Sequence, residues 1–114
     1  MQVYFPKYVP EGYTISNVET DILKVTFKLV SGNNYILIVQ RPLNGYNAKI
    51  ALDSEDTPLE EVTVNQETAF YNFKDNIHSL YFFDNNNFYK IRTNNLPKKE
   101  IIRVAESFEM IVGL

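Results

Sequence analysis

Leu23-Lys24-Val25-Thr26-Phe27-Lys28-Leu29 decides the fold class of this chain. Every second residue is apolar, and lysine or threonine stands between. That period of two sends one row of side chains into a core and the other into water, which is a β-strand wet on one face. Ser31-Gly32-Asn33-Asn34 follows and reads as a hairpin loop. Beyond it, Tyr35-Ile36-Leu37-Ile38-Val39 is an almost unbroken apolar run, which predicts a central strand. Arg41-Pro42 closes that strand, because proline has no N–H to give a ladder.

The same period extends both ways. Upstream, Tyr13, Ile15 and Val18 predict a strand reaching about Glu19. Residues 1–12 read as an aromatic arm, with Tyr4, Phe5 and Tyr8 between turn signals at Pro6, Pro10 and Gly12, pinned on the domain. Downstream, Val62 and Val64, then Ala69, Tyr71 and Phe73, then Ile77 to Phe83, then Phe88 to Thr93 predict further strands. Asn65-Gln66-Glu67, Asp75-Asn76 and Asp84-Asn85-Asn86-Asn87 separate them as turns. Turns this closely spaced leave no room for crossover helices, so the strands form an antiparallel meander.

Two segments break the period. Residues 42–59 carry Pro42, Gly45, Asp53, Glu55, Asp56 and Pro58 and read as a long loop, a length uncommon in a small domain. In residues 97–111, Ile101, Val104, Ala105, Phe108 and Ile111 fall at helical spacing. Pro97 suits the N-cap or first turn, and Glu100 stands where a capping box places its acid. The expectation is one α+β domain spanning residues 1–114: a curved antiparallel sheet of about six or seven strands, with one C-terminal helix packed on one face.

Composition narrows the function. The 114 residues are 45% hydrophobic and 22% charged, as in a packed globule. Eleven basic and fourteen acidic residues give a net charge of −3, and no basic block offers a footprint for nucleic acid. With no cysteine, disulfides, zinc–thiolate sites and thiol nucleophiles are excluded. No apolar run approaches the ~18 residues that span a bilayer. Met1 leads into Val3-Tyr4-Phe5-Pro6 with no basic and apolar leader, which leaves either a complete cytosolic protein or a soluble piece of a longer one.

The order of motifs resembles a known family. Tyr8-Val9-Pro10-Glu11-Gly12-Tyr13 is similar to the opening signature of the domain of unknown function 4367 family. Ile36 to Pro42, ending Gln40-Arg41-Pro42, resembles its apolar strand. Leu52-Asp53-Ser54-Glu55-Asp56 with Glu61-Val62-Thr63-Val64 resembles its acidic linker and next strand, and Ala69-Phe70-Tyr71 and the strands to Arg92 keep its order. Leu96-Pro97-Lys98-Lys99-Glu100-Ile101-Ile102 to Phe108 looks like its closing helix. Two positions depart from the pattern: Asn65-Gln66-Glu67 lacks the usual turn glycine, and Pro97 replaces a serine or threonine cap. The resemblance implies an extracytoplasmic bacterial domain, C-terminal to a membrane-spanning segment of its parent, with no assigned chemistry. Similar sheet-plus-helix domains occur in lipoprotein carriers and in envelope-stress regulators.

Chemical candidates are few. His78 is the single histidine; its neighbour Ser79 points to the opposite side of a strand, so the two make a poor dyad, and His78 reads as a surface or sheet-edge residue. Asp53, Glu55 and Asp56 hold carboxylates, but Pro58 occupies the position where a calcium loop needs glycine, so they read as a solvated turn. No catalytic residue, metal site or cofactor is expected. The aromatic residues carry the strongest signal. Tyr81-Phe82-Phe83 must place rings on both sheet faces. One face goes under the helix. The other is either a groove for a hydrophobic ligand or protein partner, or is covered by the arm and the 42–59 loop. Tyr4, Phe5, Tyr8, Tyr46, Tyr81 and Phe83 are the candidate surface residues. The expected role is a non-enzymatic extracytoplasmic sensory or protein-interaction domain; the alternative is a hydrophobic-ligand or lipid-binding module. Nucleic acid is not expected as a partner, and contact with the membrane is expected only through a segment outside this chain.

Overall fold

Tight turns set the register of the sheet. The computed structural model describes residues 2–43, 59–84 and 86–113. The strands are β1 (Gln2–Pro6), β2 (Thr14–Asp21), β3 (Lys24–Ser31), β4 (Asn34–Pro42), β5 (Glu60–Val64), β6 (Glu67–Lys74), β7 (Ile77–Phe83), β8 (Asn87–Thr93) and β9 (Phe108–Gly113), with one helix, α1 (Lys98–Glu106). Ser31 pairs with Asn34, so only Gly32 and Asn33 cross between β3 and β4. Gly32 has φ +60°, which a first central turn position of this hand requires. Asn65 and Gln66 (φ 50° and 69°) and Asp75 and Asn76 (φ 54° and 64°) join β5–β6 and β6–β7 with both central residues left-handed. That geometry matches the right-handed twist of the flanking strands.

Seven strands form one open antiparallel sheet in the order β2-β3-β4-β8-β7-β6-β5. Two meanders, β2-β3-β4 and β5-β6-β7-β8, are thus joined by pairing β4 with β8, Ile38 opposite Ile91. Alternation makes one face the core: Val25, Leu29, Ile36, Ile38, Leu80 and Ile91 are each 1% exposed or less. β2 is the edge and is exposed along its whole length, so Ile15 and Val18 stay half in water. Leu23 is also exposed, because it sits with Ile22 at the β2–β3 turn rather than in the strand.

Two pieces cover the core face. α1 lays Ile101, Val104 and Ala105 on it, packing against β5, β7 and β1. Pro97 is its N-cap and accepts the N–H groups of Glu100 and Ile101 through its carbonyl. The second cover is a two-stranded ribbon of β1 and β9. Here the sequence expectation needs correcting. The helix ends at Glu106, not at 111. Ser107 turns its N–H and its Oγ back onto the Val104 carbonyl, at 3.1 and 2.8 Å. The next residues are extended because β1 offers them a full edge of backbone partners, and a strand pairing there satisfies both chains. The arm is corrected as well. It packs on the helix-bearing face, not on the opposite one, with Phe5 edge-on to Phe27 (4.7 Å).

Gln40 explains that placement. It is 1% exposed on the core face. Its Oε1 accepts the Tyr4 N–H at 2.9 Å and its Nε2 donates to the Gln2 carbonyl at 2.6 Å. One side-chain amide thereby stands in for a strand edge and ties β1 across β4.

Candidate functional site

Phe82 and Tyr89 face each other across β7 and β8, and their rings stack at 4.8 Å and 15°. Phe108, the first residue of β9, stands edge-on to both, 5.2 Å from Phe82 and 5.3 Å from Tyr89. Tyr4 meets Tyr89 edge-on at 6.1 Å. These rings floor and wall a cleft of about 550 Å³ at one end of the sheet, where the β5–β6 turn, the start of the β7–β8 turn and the last turn of α1 converge. That volume lies within the range of small-ligand sites. The cleft is open along one side, and its rim is polar, with Asn65, Glu67, Thr68 and Asp84.

Short-range bonds hold the rim. Asp84 accepts the N–H groups of Asn86 and Asn87 at Oδ1, at 2.8 and 2.7 Å, and the Tyr89 hydroxyl at Oδ2, at 2.6 Å. Burial, then the bond to Asp84, raise the Tyr89 pKa, so this hydroxyl remains a neutral donor. Asn65 gives its N–H to the Glu106 carboxylate and its Nδ2 to the Glu106 carbonyl, both at 3.3 Å, which locks the β5–β6 turn to the end of α1.

The candidate surface residues do not form one patch. Tyr4 and Phe83 line the cleft. Phe5 spends its ring on Phe27. Tyr8 acts as a strut. Its hydroxyl donates to Glu100 at 2.8 Å, which raises its pKa, and the Arg103 guanidinium lies 3.9 Å above its ring. Tyr81 is on the opposite face, stacked on Phe88 at 6.2 Å with Leu43, Leu59, Phe70 and Phe83 against the pair. A shallower recess of about 290 Å³ beside it is lined by Tyr35, Asn72, Ser79 and Arg92, among others. Tyr46, the 42–59 loop beyond Leu43 and before Leu59, and Asp53, Glu55 and Asp56 lie outside the described residues. Phe82, Tyr89 and Phe108 are not among the candidate surface residues read from the sequence. The first two become cross-strand neighbours only through the register of the turn between them, and Phe108 required the helix to stop early.

His78 sits at the far end of the core face. The Tyr71 hydroxyl is 2.7 Å from its Nδ1, and Phe73 packs on its ring at 4.4 Å. Partial burial lowers its pKa. Ser79 lies on the other face, as strand alternation demands. Among the described residues no group of three or more histidine, cysteine or acidic side chains is placed to hold a metal ion. Among them, too, no helix is long and apolar enough to cross a membrane.

The family model described as a domain of unknown function (DUF4367) matches residues 3–108 of the chain. No match was found among curated proteins or among solved structures.

Proposed function

This chain belongs to the DUF4367 family of domains of unknown function, and from that premise we propose that it is a binding domain rather than a catalyst, sensing or recruiting a partner through the aromatic cleft. The observation that carries this reading is the cleft itself: stacked and edge-on rings, held by turns locked to a helix end, around a volume suited to a ligand. The single histidine supports it indirectly, since its Nδ1 is engaged by Tyr71, away from the cleft. The setting we propose is extracytoplasmic, in a bacterial protein anchored through a segment outside these residues. Support comes from the family resemblance and from a chain without cysteine, which forms no stray disulfides in an oxidising compartment.

A lipid chain is the second reading, favoured by the cleft volume and its rings. The test is a titration of the nitrogen-15-labelled chain, followed amide by amide, with a random hexapeptide mixture and separately with sodium dodecanoate. The binding reading expects one of them to shift Val64, Thr68, Phe82, Asp84 and Phe108 as a contiguous set. Shifts from dodecanoate alone would move the assignment to the lipid reading. No shift with either, or shifts centred on Tyr81 and Arg92, would refute the cleft as the working site.

A further inference from the structure

Resting on that cleft reading, we propose that the group the cleft receives is a lysine or arginine side chain, carried by an extended, otherwise apolar peptide segment of a partner protein. Charge points there. The cleft is lined by the carboxylates of Glu67 and Asp84, and no lysine, arginine or histidine lines it. Neither acid is ion-paired among the described residues, where the one ion pair is Lys98 with Glu60. A third carboxylate, Glu106, sits against Asn65 at the same rim. Ala105 brings the C-terminal end of α1 to the wall, and a helix C-terminus carries partial negative charge. The charged side chains that line the cleft therefore have one sign.

The rings add a second attraction for the same group. A cation placed over an aromatic face within ~6 Å is drawn to its quadrupole. The chain uses this contact elsewhere, with Arg103 over Tyr8 at 3.9 Å and Lys98 over Tyr71 at 5.6 Å. A fatty-acid carboxylate or a phospholipid phosphate would instead meet two like charges. The open side decides between a peptide and a small amine. An amine alone would leave Tyr4 and Phe108, both half-buried, in contact with water, whereas an extended segment covers them as its basic side chain enters. Asp84 is already oriented by two N–H groups and a hydroxyl, so little ordering remains to oppose binding.

The experiment pans the intact chain against a displayed random hexapeptide library, alongside an E67Q/D84N variant. Glutamine and asparagine keep the size and hydrogen-bonding shape of both residues, and circular dichroism checks the fold. The expected result is enrichment of lysine or arginine next to apolar residues, with affinity for the selected peptide falling on the order of tenfold in the double variant. Added salt should weaken binding to the parent chain and hardly affect the variant. Peptides recovered without basic residues, or bound equally by the variant, would overturn the charge assignment and leave the cleft as a peptide site. Benzylamine shifting the cleft amides as strongly as the selected peptide would assign the site to small amines and overturn the peptide. Recovery of no peptide would overturn it as well, and the dodecanoate titration then tells whether the cleft reading falls too.

Discussion

At the scale of single residues, Gln40 carries more of the architecture than any ring. A strand that crosses a sheet face normally leaves one edge of its backbone without partners, and burial makes that costly. Gln40 supplies both an acceptor and a donor at the point where β1 crosses β4. Replacing it with leucine keeps the volume and the apolar character but strands the Tyr4 N–H and the Gln2 carbonyl. The Gln40→Leu variant is expected to lose about 2–4 kcal/mol, read from urea unfolding. It should also speed amide exchange in β1 and β9 before that in the sheet. An unchanged midpoint would mean that ribbon and sheet are held by packing alone. In the sequence, Gln40 was visible only as one residue of a strand's end. A buried glutamine reads as an exposed one until its partners are known.

At the scale of elements, the hairpins were legible because turn chemistry is local. Gly32, Asp75 and Asn76 are residues that tolerate positive φ, and the structure uses them so. The β5–β6 turn is the exception. Gln66 adopts φ 69°, a conformation in which a Cβ crowds the following carbonyl. The Gln66→Gly variant is therefore expected to stabilise the chain by about 0.5–1 kcal/mol, the relieved strain exceeding the entropy glycine adds to the unfolded state. Thermal and urea melts against the parent chain check this, and a loss of stability would show that the glutamine side chain holds the turn by itself. The helix was legible in kind and start but not in length. Its period continues through Phe108 and Ile111 in sequence, yet Phe108 reaches the core from a strand and Ile111 is exposed. Periodicity cannot tell a fourth helical turn from a strand when the competing partner lies a hundred residues away, in β1.

At the scale of the molecule, the central seam is the non-local one. β4 and β8 pair across more than forty intervening residues, with Ile38 and Ile91 fully buried at the join. β2 lies at an edge with every residue exposed. Native-state hydrogen exchange should accordingly be slowest in β4 and β8 and fastest, among the seven strands, in β2, which opens locally without breaking the core. Protection in β2 equal to that in β8 would mean that the sheet opens only as a whole. Non-local pairing also governs the site. The cleft exists because Phe108, Tyr4 and the Phe82–Tyr89 pair meet, and these come from both ends of the chain and its middle.

Neighbouring residues alone determined that this chain makes antiparallel strands, where most of its turns fall, that one helix follows a proline near the end, and that rings occupy both sheet faces. Those properties depend on side-chain alternation and on the φ each turn residue tolerates, both written in a few adjacent positions. Tertiary structure alone decided which meanders join, which face the arm covers, where the helix gives way to a strand and which rings frame a cleft. Each of those is a competition between distant backbone edges and apolar faces for the same partner, and its outcome depends on the free energy of the assembled whole.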